Sequence, residues 1–270
     1  MTRCLFAAAG AALRQSDPDS KIALVSRLRE GFGAGRYSLD ASHQPEPIGE
    51  PGRPKRPALV EPRELVQRRL STGRGRAALV HAVAHIEFNA INLALDAVYR
   101  FRDMPPDYYR DWLRVGDEEA RHFAMLRERL RELGFGYGDF PAHNGLWAMC
   151  RETAHDVMVR MALVPRVLEA RGLDVTPGMM RRLERAGDVR TVEVLRVILH
   201  EEEAHVAIGS HWFRHCCRAR DLPAEAVFRR LLEQYMSGRI RGPFNHAARR
   251  GGGFTASELG MLESLDAERH

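Results

Sequence analysis

The chain has 270 residues, 44% of them hydrophobic and 29% charged, with a formal net charge of +5 and a mean hydropathy of -0.36. That balance excludes wholesale disorder, and the length suffices for one large or two small domains around a sizeable core. No apolar run approaches the roughly 18 residues that a membrane-spanning helix needs, and the four cysteines, Cys4, Cys150, Cys216 and Cys217, make neither a disulfide framework nor a CxxC zinc pattern, which fits reduced thiols in a cytoplasm.

The opening MTRCLFAAAGAALRQ has the short apolar core of a secretion signal, but acid-rich DPDS follows without a small-residue cleavage site, so export is not expected. Residues 1–76 carry 14 basic against 8 acidic side chains and hold all of the positive excess. Because the arginines alternate with prolines and acids and have no spaced aromatics, this arm reads as solvated rather than as a nucleic-acid surface. A short helix through IALVSRLRE, capped at Asp19 or Ser20 and closed by Gly31 or Gly33, makes residues 1–43 a helical preface. Six prolines from Pro45 to Pro62 then make residues 44–74 a linker wrapping the bundle that follows.

From about Gly75 the apolar positions Leu79, Val83, Ile86, Ala90, Leu93 and Ala97 recur at helical steps until DMPPD interrupts them. A second run from about Pro106 to Leu133 carries Trp112, Val115, Ala120, Phe123, Leu126 and Leu130, and the two should pair antiparallel. A third helix is expected from Leu146 to Arg171, kinked at Pro165. Residues 172–178 (GLDVTPG) then read as a connector, followed by a short helix to Ala186 and a fourth long run over about 189–218. The fold class is therefore all-α: a four-helix bundle over 75–219, preceded by the N-terminal helix and followed by a helical extension over 220–270, in which Thr255 and Glu258 form a capping box.

Two ExxH motifs carry the chemistry, Glu119-Ala-Arg-His122 and Glu202-Glu203-Ala-His205. The i,i+3 spacing turns both side chains to one helix face, where they can share a metal ion. About one ExxH is expected by chance from 22 Glu and 12 His, and three occur, so the motif alone says little. The arrangement says more: Glu87 lies 32 residues before Glu119, and Glu169 lies 33 before Glu202, as if one half repeated the other. Glu87 and Glu119 also flank Asp103 by 16 residues each, which levels them in an antiparallel hairpin. The second half is less tidy, and the connector must climb to bring Glu169 level with Glu202. Four Glu and two His pointing into one bundle form the ligand set of dinuclear carboxylate sites, and oxygen and imidazole donors suit iron or manganese.

The segments HAVAHIEFNAI, DEEARH, VLEARGLDVTPG and EEEAH resemble the ferritin-like superfamily, in particular a domain-of-unknown-function branch of it, over most of the chain. The resemblance implies a ferritin-like bundle with two metal ions held by Glu87, Glu119, His122, Glu169, Glu202 and His205: two iron ions, with manganese or a mixed pair as the variant. It also implies an oxygen- or peroxide-activating oxidoreductase. The partners expected are an unidentified small-molecule substrate and an electron donor, with a homodimer compatible and neither membrane nor nucleic acid involved. The alternatives are a ferroxidase or metal-binding protein without an organic substrate, and a non-enzymatic helical interaction module. Glu118, Glu201, Glu203 and the pair Glu152–His155 read as surface or supporting residues, and His81 and His85 as packing partners. His143 is either a pocket residue or a cap, and Cys216 and Cys217 read as buried thiols.

Overall fold

The structure is a computed structural model that describes residues 3–42, 44–66 and 68–268; His43, at the edge of the expected preface, lies outside them. The chain divides into two compact units, Met1–Arg151 and Glu152–His270, a division that falls inside the stretch expected as one bundle. Both are helical, and the strand structure among the described residues is a two-residue parallel pair, β1 (Arg3–Cys4) with β2 (Tyr37–Ser38), and a bridge between Leu59 and Ala142.

In the first unit the apolar opening segment is a helix, α1 (Leu5–Arg14), whose Leu5, Phe6, Ala9, Ala12 and Leu13 are buried. Gly10 lets it approach α3: a Cβ there would meet ring carbons of Tyr99 at 2.8 Å. The preface helix α2 (Pro18–Gly33) is longer than the sequence suggests, because Asp17, not Asp19 or Ser20, accepts the capping bond from Ser20 N at 2.8 Å. Thr72 caps α3 (Gly73–Arg100) through Gly75 N. By length and composition α3 is apolar enough to cross a membrane, which corrects the reading of the sequence, yet 78% of its apolar window is buried in the protein, as in a core helix. After the DMPP turn, α4 (Pro106–Glu132) runs back along α3 as the periodicity predicts, and α5 (Gly145–Glu152) is tied down by Trp147 Nε1 donating to Gly49 O at 2.8 Å.

The second unit departs from the expected layout in two places. The third helix is not continuous from 146 to 171. α5 ends at Glu152, a turn follows, Asp156 caps α6 (Val157–Leu163), and Val164–Glu169 winds as a π-helix around Pro165. The supposed connector 172–178 is helical, inside α7 (Arg171–Arg185) with Pro177 in its interior. Proline removes the N–H that would satisfy the carbonyl four residues back. Here Asn245 Nδ2 donates to that carbonyl, Leu173 O, at 3.2 Å, while Asn245 N and Arg249 hold Asp174. The helix continues because a distant loop satisfies the group that Pro177 orphans. Against α6, the π segment and α7 lies α8 (Val189–Ala219), capped by Asp188. Three helices complete the unit: α9 (Ala224–Met236), α10 (His246–Gly251) and α11 (Ala256–Ala267), the last opened by the expected Thr255–Glu258 capping box.

Candidate metal centre

The α3–α4 hairpin brings together what its spacing predicts. Glu87 on α3 and Glu119 and His122 on α4 are buried, with 4%, 1% and 0% exposure. His122 Nδ1 lies 3.2 Å from Glu87 Oε2 and 3.4 Å from Glu119 Oε2, and one donor atom from each of the three falls within 4.8 Å of the others. Burial pushes the imidazole towards neutrality, but hydrogen bonds to Glu119 and Glu87 outweigh it and hold His122 up at about 11. In this form a proton shared with two buried carboxylates offsets their charge. The neighbours Asp117 and Glu118 are only half-buried, which separates the inward member of the DEE run from the others.

The second unit repeats the pattern with different parts. Glu202 and His205 share one face of α8, 3.6 Å apart, and both are buried. Glu169 ends the π segment and is half-buried. The segment from α6 to Glu169 runs antiparallel to α8: Arg220 pairs with Asp156, Arg166 donates to Ser210, and a Cβ on Gly209 would meet Pro165 Cγ at 2.4 Å. Continuing that register puts Glu169 level with His205.

Arg166 fixes that turn. It is fully buried, with Nη2 2.7 Å from a Glu258 carboxylate oxygen, Nε donating to Ser210 Oγ at 3.1 Å, and its guanidinium 4.1, 4.5 and 4.9 Å from the ring centres of Phe228, Phe254 and Phe213. Burial lowers its pKa to about 10, against the pull of Glu258, so it remains charged at neutral pH. Nothing in the sequence around Arg166 marks it out.

Each unit thus carries one Glu on one element and a Glu–His pair one turn apart on another. Oxygen donors flanking an imidazole suit iron or manganese, and a divalent cation can take the place of the proton on His122. Within each unit the donors, carboxylate oxygen and imidazole nitrogen, are of the types that such a metal takes.

The remaining candidates fall away from these clusters. Glu152 and His155 are exposed, with His155 Nδ1 3.0 Å from Glu152 O across the turn. Glu203 is exposed and Glu201 half-buried. Gly138 N donates to His81 Nε2 at 2.9 Å, and His85 Nδ1 lies 2.8 Å from the Tyr137 hydroxyl. His143 both lines a recess and accepts from Gly145 N with Nδ1 at 3.2 Å. Cys216 and Cys217 are buried free thiols, and burial raises the pKa of both.

A family of proteins of unknown function, DUF455, matches residues 14–260. The chain belongs to the DUF455 family. It is also 41% identical over 265 residues to an uncharacterized protein of Haemophilus influenzae, covering 94% of this chain and 92% of that one. No solved structure matches. The DUF455 match includes both Glu and Glu–His sets, along with Arg166 and the π segment that it anchors.

Proposed function

We propose that this DUF455 protein is a ferritin-like, non-haem dinuclear oxidoreductase of the cytoplasm in which Glu87, Glu119, His122, Glu169, Glu202 and His205 hold two iron ions, or manganese or a mixed pair. The observation that carries this reading is the buried trio Glu87, Glu119 and His122, two carboxylates converging on one imidazole at 3.2 and 3.4 Å. Carboxylates buried without a compensating charge are costly, and a dinuclear site repays that cost when both Glu–His sets face one pair of ions. When bound, such a pair supplies the redox chemistry that activates dioxygen or peroxide on a small-molecule substrate, with electrons from a donor.

The chain's own residues prepare the site. Glu87 and Glu119 orient the His122 ring through Nδ1, and His122 gives up a proton to become a donor, so loading is coupled to proton release. Arg166, caged by three phenylalanines and paired with Glu258, holds the π turn that ends in Glu169.

The test is metal per chain by elemental analysis of protein from iron-supplemented cells, compared with a Glu119→Ala, Glu202→Ala double variant. Close to two metals in the wild type and few in the variant supports the reading, and dioxygen uptake with candidate substrates follows. Turnover of Fe²⁺ alone moves the assignment to a ferroxidase. Little metal in either protein refutes the dinuclear site and leaves a helical interaction module.

A further inference from the structure

The positive charge of the chain has a single source. Residues 53–76 hold eight basic and two acidic side chains, while the other 246 residues hold 33 basic and 34 acidic, so this stretch carries the whole excess of +5. Among the described residues, seven of the eight, all but Arg76, make no hydrogen bond or ion pair through their side chains. The fold gathers three of them around one groove. Val60 N donates to Ala142 O at 2.8 Å and Ala142 N to Ala58 O at 3.0 Å, which ties the stretch from Arg56 to Val60 alongside the loop that ends α4. Gly138 in that loop has φ +110°, and a Cβ there would meet Arg56 Cβ at 2.8 Å. Between these segments and the first turn of α3 lies a groove of about 510 Å³ lined by Arg56, Arg74, Phe135, Asp139, Phe140 and Pro141. The Phe140 ring centre lies 5.6 Å from the guanidinium carbon of Arg74 and 5.9 Å from that of Arg68. Asp139, the acid of the lining, accepts from Gly136 N with Oδ2 at 2.7 Å and offsets one of the three charges.

Like charges held together repel, and an anion between them removes that cost. A guanidinium stacked on an aromatic face is fixed in place with its N–H edge still free, so less order is lost when a ligand arrives. That planar fork matches the oxygens of a phosphate two at a time. The volume is in the range of small-molecule sites, and Phe135 and Pro141 give the groove an apolar wall beside its charges. We propose that this groove binds a small organic phosphate, with the phosphoryl group held by Arg56, Arg68 and Arg74 and the organic part laid against Phe135 and Pro141. A nucleic-acid strand carries phosphate too, but such strands are gripped by bases stacking on exposed rings, and Phe140 is 5% exposed and already met by two arginines. The groove shares no residue with the candidate metal ligands.

The experiment is a calorimetric titration of the full chain with phenyl phosphate, inorganic phosphate and a single-stranded oligothymidylate. The protein is dialysed against EDTA so that metal cannot hold the anion, and the ionic strength is kept at about 0.15 M, where general attraction is screened beyond about 8 Å. Saturable phenyl phosphate binding is expected, with inorganic phosphate at least tenfold weaker. Arg56→Gln and Arg74→Gln, both at exposed positions, should each weaken it about tenfold, the loss of one charge-assisted hydrogen bond, and together abolish it. Arg190→Gln removes the same charge from an arginine paired with Glu193 and should leave binding unchanged. No saturable phenyl phosphate binding, or an equal loss in Arg190→Gln, overturns the site. Inorganic phosphate binding as tightly as phenyl phosphate overturns the role of the apolar wall, and an oligothymidylate binding more tightly than either overturns the small-molecule assignment in favour of nucleic acid. Every arm uses metal-free protein, so each result is independent of the dinuclear reading.

Discussion

Lys21 offers the most direct test of how this core is held. It lies on α2 and is fully buried, with Nζ donating to Leu13 O at 3.0 Å and to Asn92 Oδ1 on α3, and with the Phe88 ring centre 5.3 Å away. Burial lowers its pKa from 10.5 to about 7. A lysine depressed in this way binds fewer protons folded than unfolded between pH 7 and 10.5, so stability rises with pH across that window and the penalty is greatest below it. At 1.36 kcal/mol per unit, the ceiling is about 5 kcal/mol. The two acceptors favour the charged amine and bring the effect below that ceiling. Lys21→Met removes the titration while keeping an unbranched apolar stem. Guanidinium unfolding followed by far-UV circular dichroism at pH 7, 8.5 and 10 should show the wild type gaining on the variant by about 1–4 kcal/mol from the lowest to the highest pH. Because the other titrating groups are common to both proteins, the difference isolates Lys21. Parallel stability profiles refute the argument.

Glu258→Ala should destabilise the second unit by about 3–5 kcal/mol, since it strands the buried Arg166 charge; a loss under 1 kcal/mol in denaturant unfolding contradicts that. Gly209→Ala should cost about 1–3 kcal/mol by driving a Cβ into Pro165. It should also lower metal content by shifting Glu169, and full metal content would break that link. Chelation of the metal-loaded protein should lower the melting temperature with little change in helicity, as expected when a ligand bound only by the folded state is withdrawn. An unchanged melting curve counts against the site.

The long helices were legible where local signals agreed. α3, α4 and α8 each pair apolar periodicity with a clear stop or cap, and the placement of Glu87 against Glu119 and His122 followed from distances to the DMPP turn alone. The third helix was not legible, because its breaks depend on remote groups. Pro165 suggested a kink but not a π turn, whose geometry rests on Gly209 and on an arginine buried under three phenylalanines from other helices. Pro177 argued for a loop, and only Asn245, 68 residues further on, makes a helix tolerable there. α1 was obscured by composition: LFAAAGAALR suits a signal core as well as a tightly packed helix, and the deciding contact is Gly10 against Tyr99. Nothing in the sequence around Lys21 marks its burial, although lysine is rare here and supplies two of the 41 basic residues.

That rarity has a practical corollary. Lys55 is exposed and Lys21 is sealed, so among lysine side chains an amine-directed acylating reagent meets Lys55 alone while the fold is closed. Lys21 becomes reactive only when α2 lifts from α1 and α3. The chain therefore carries its own footprinting probe: the ratio of acylated Lys21 to acylated Lys55, read by peptide mass spectrometry, reports how often the first unit opens, with no label introduced.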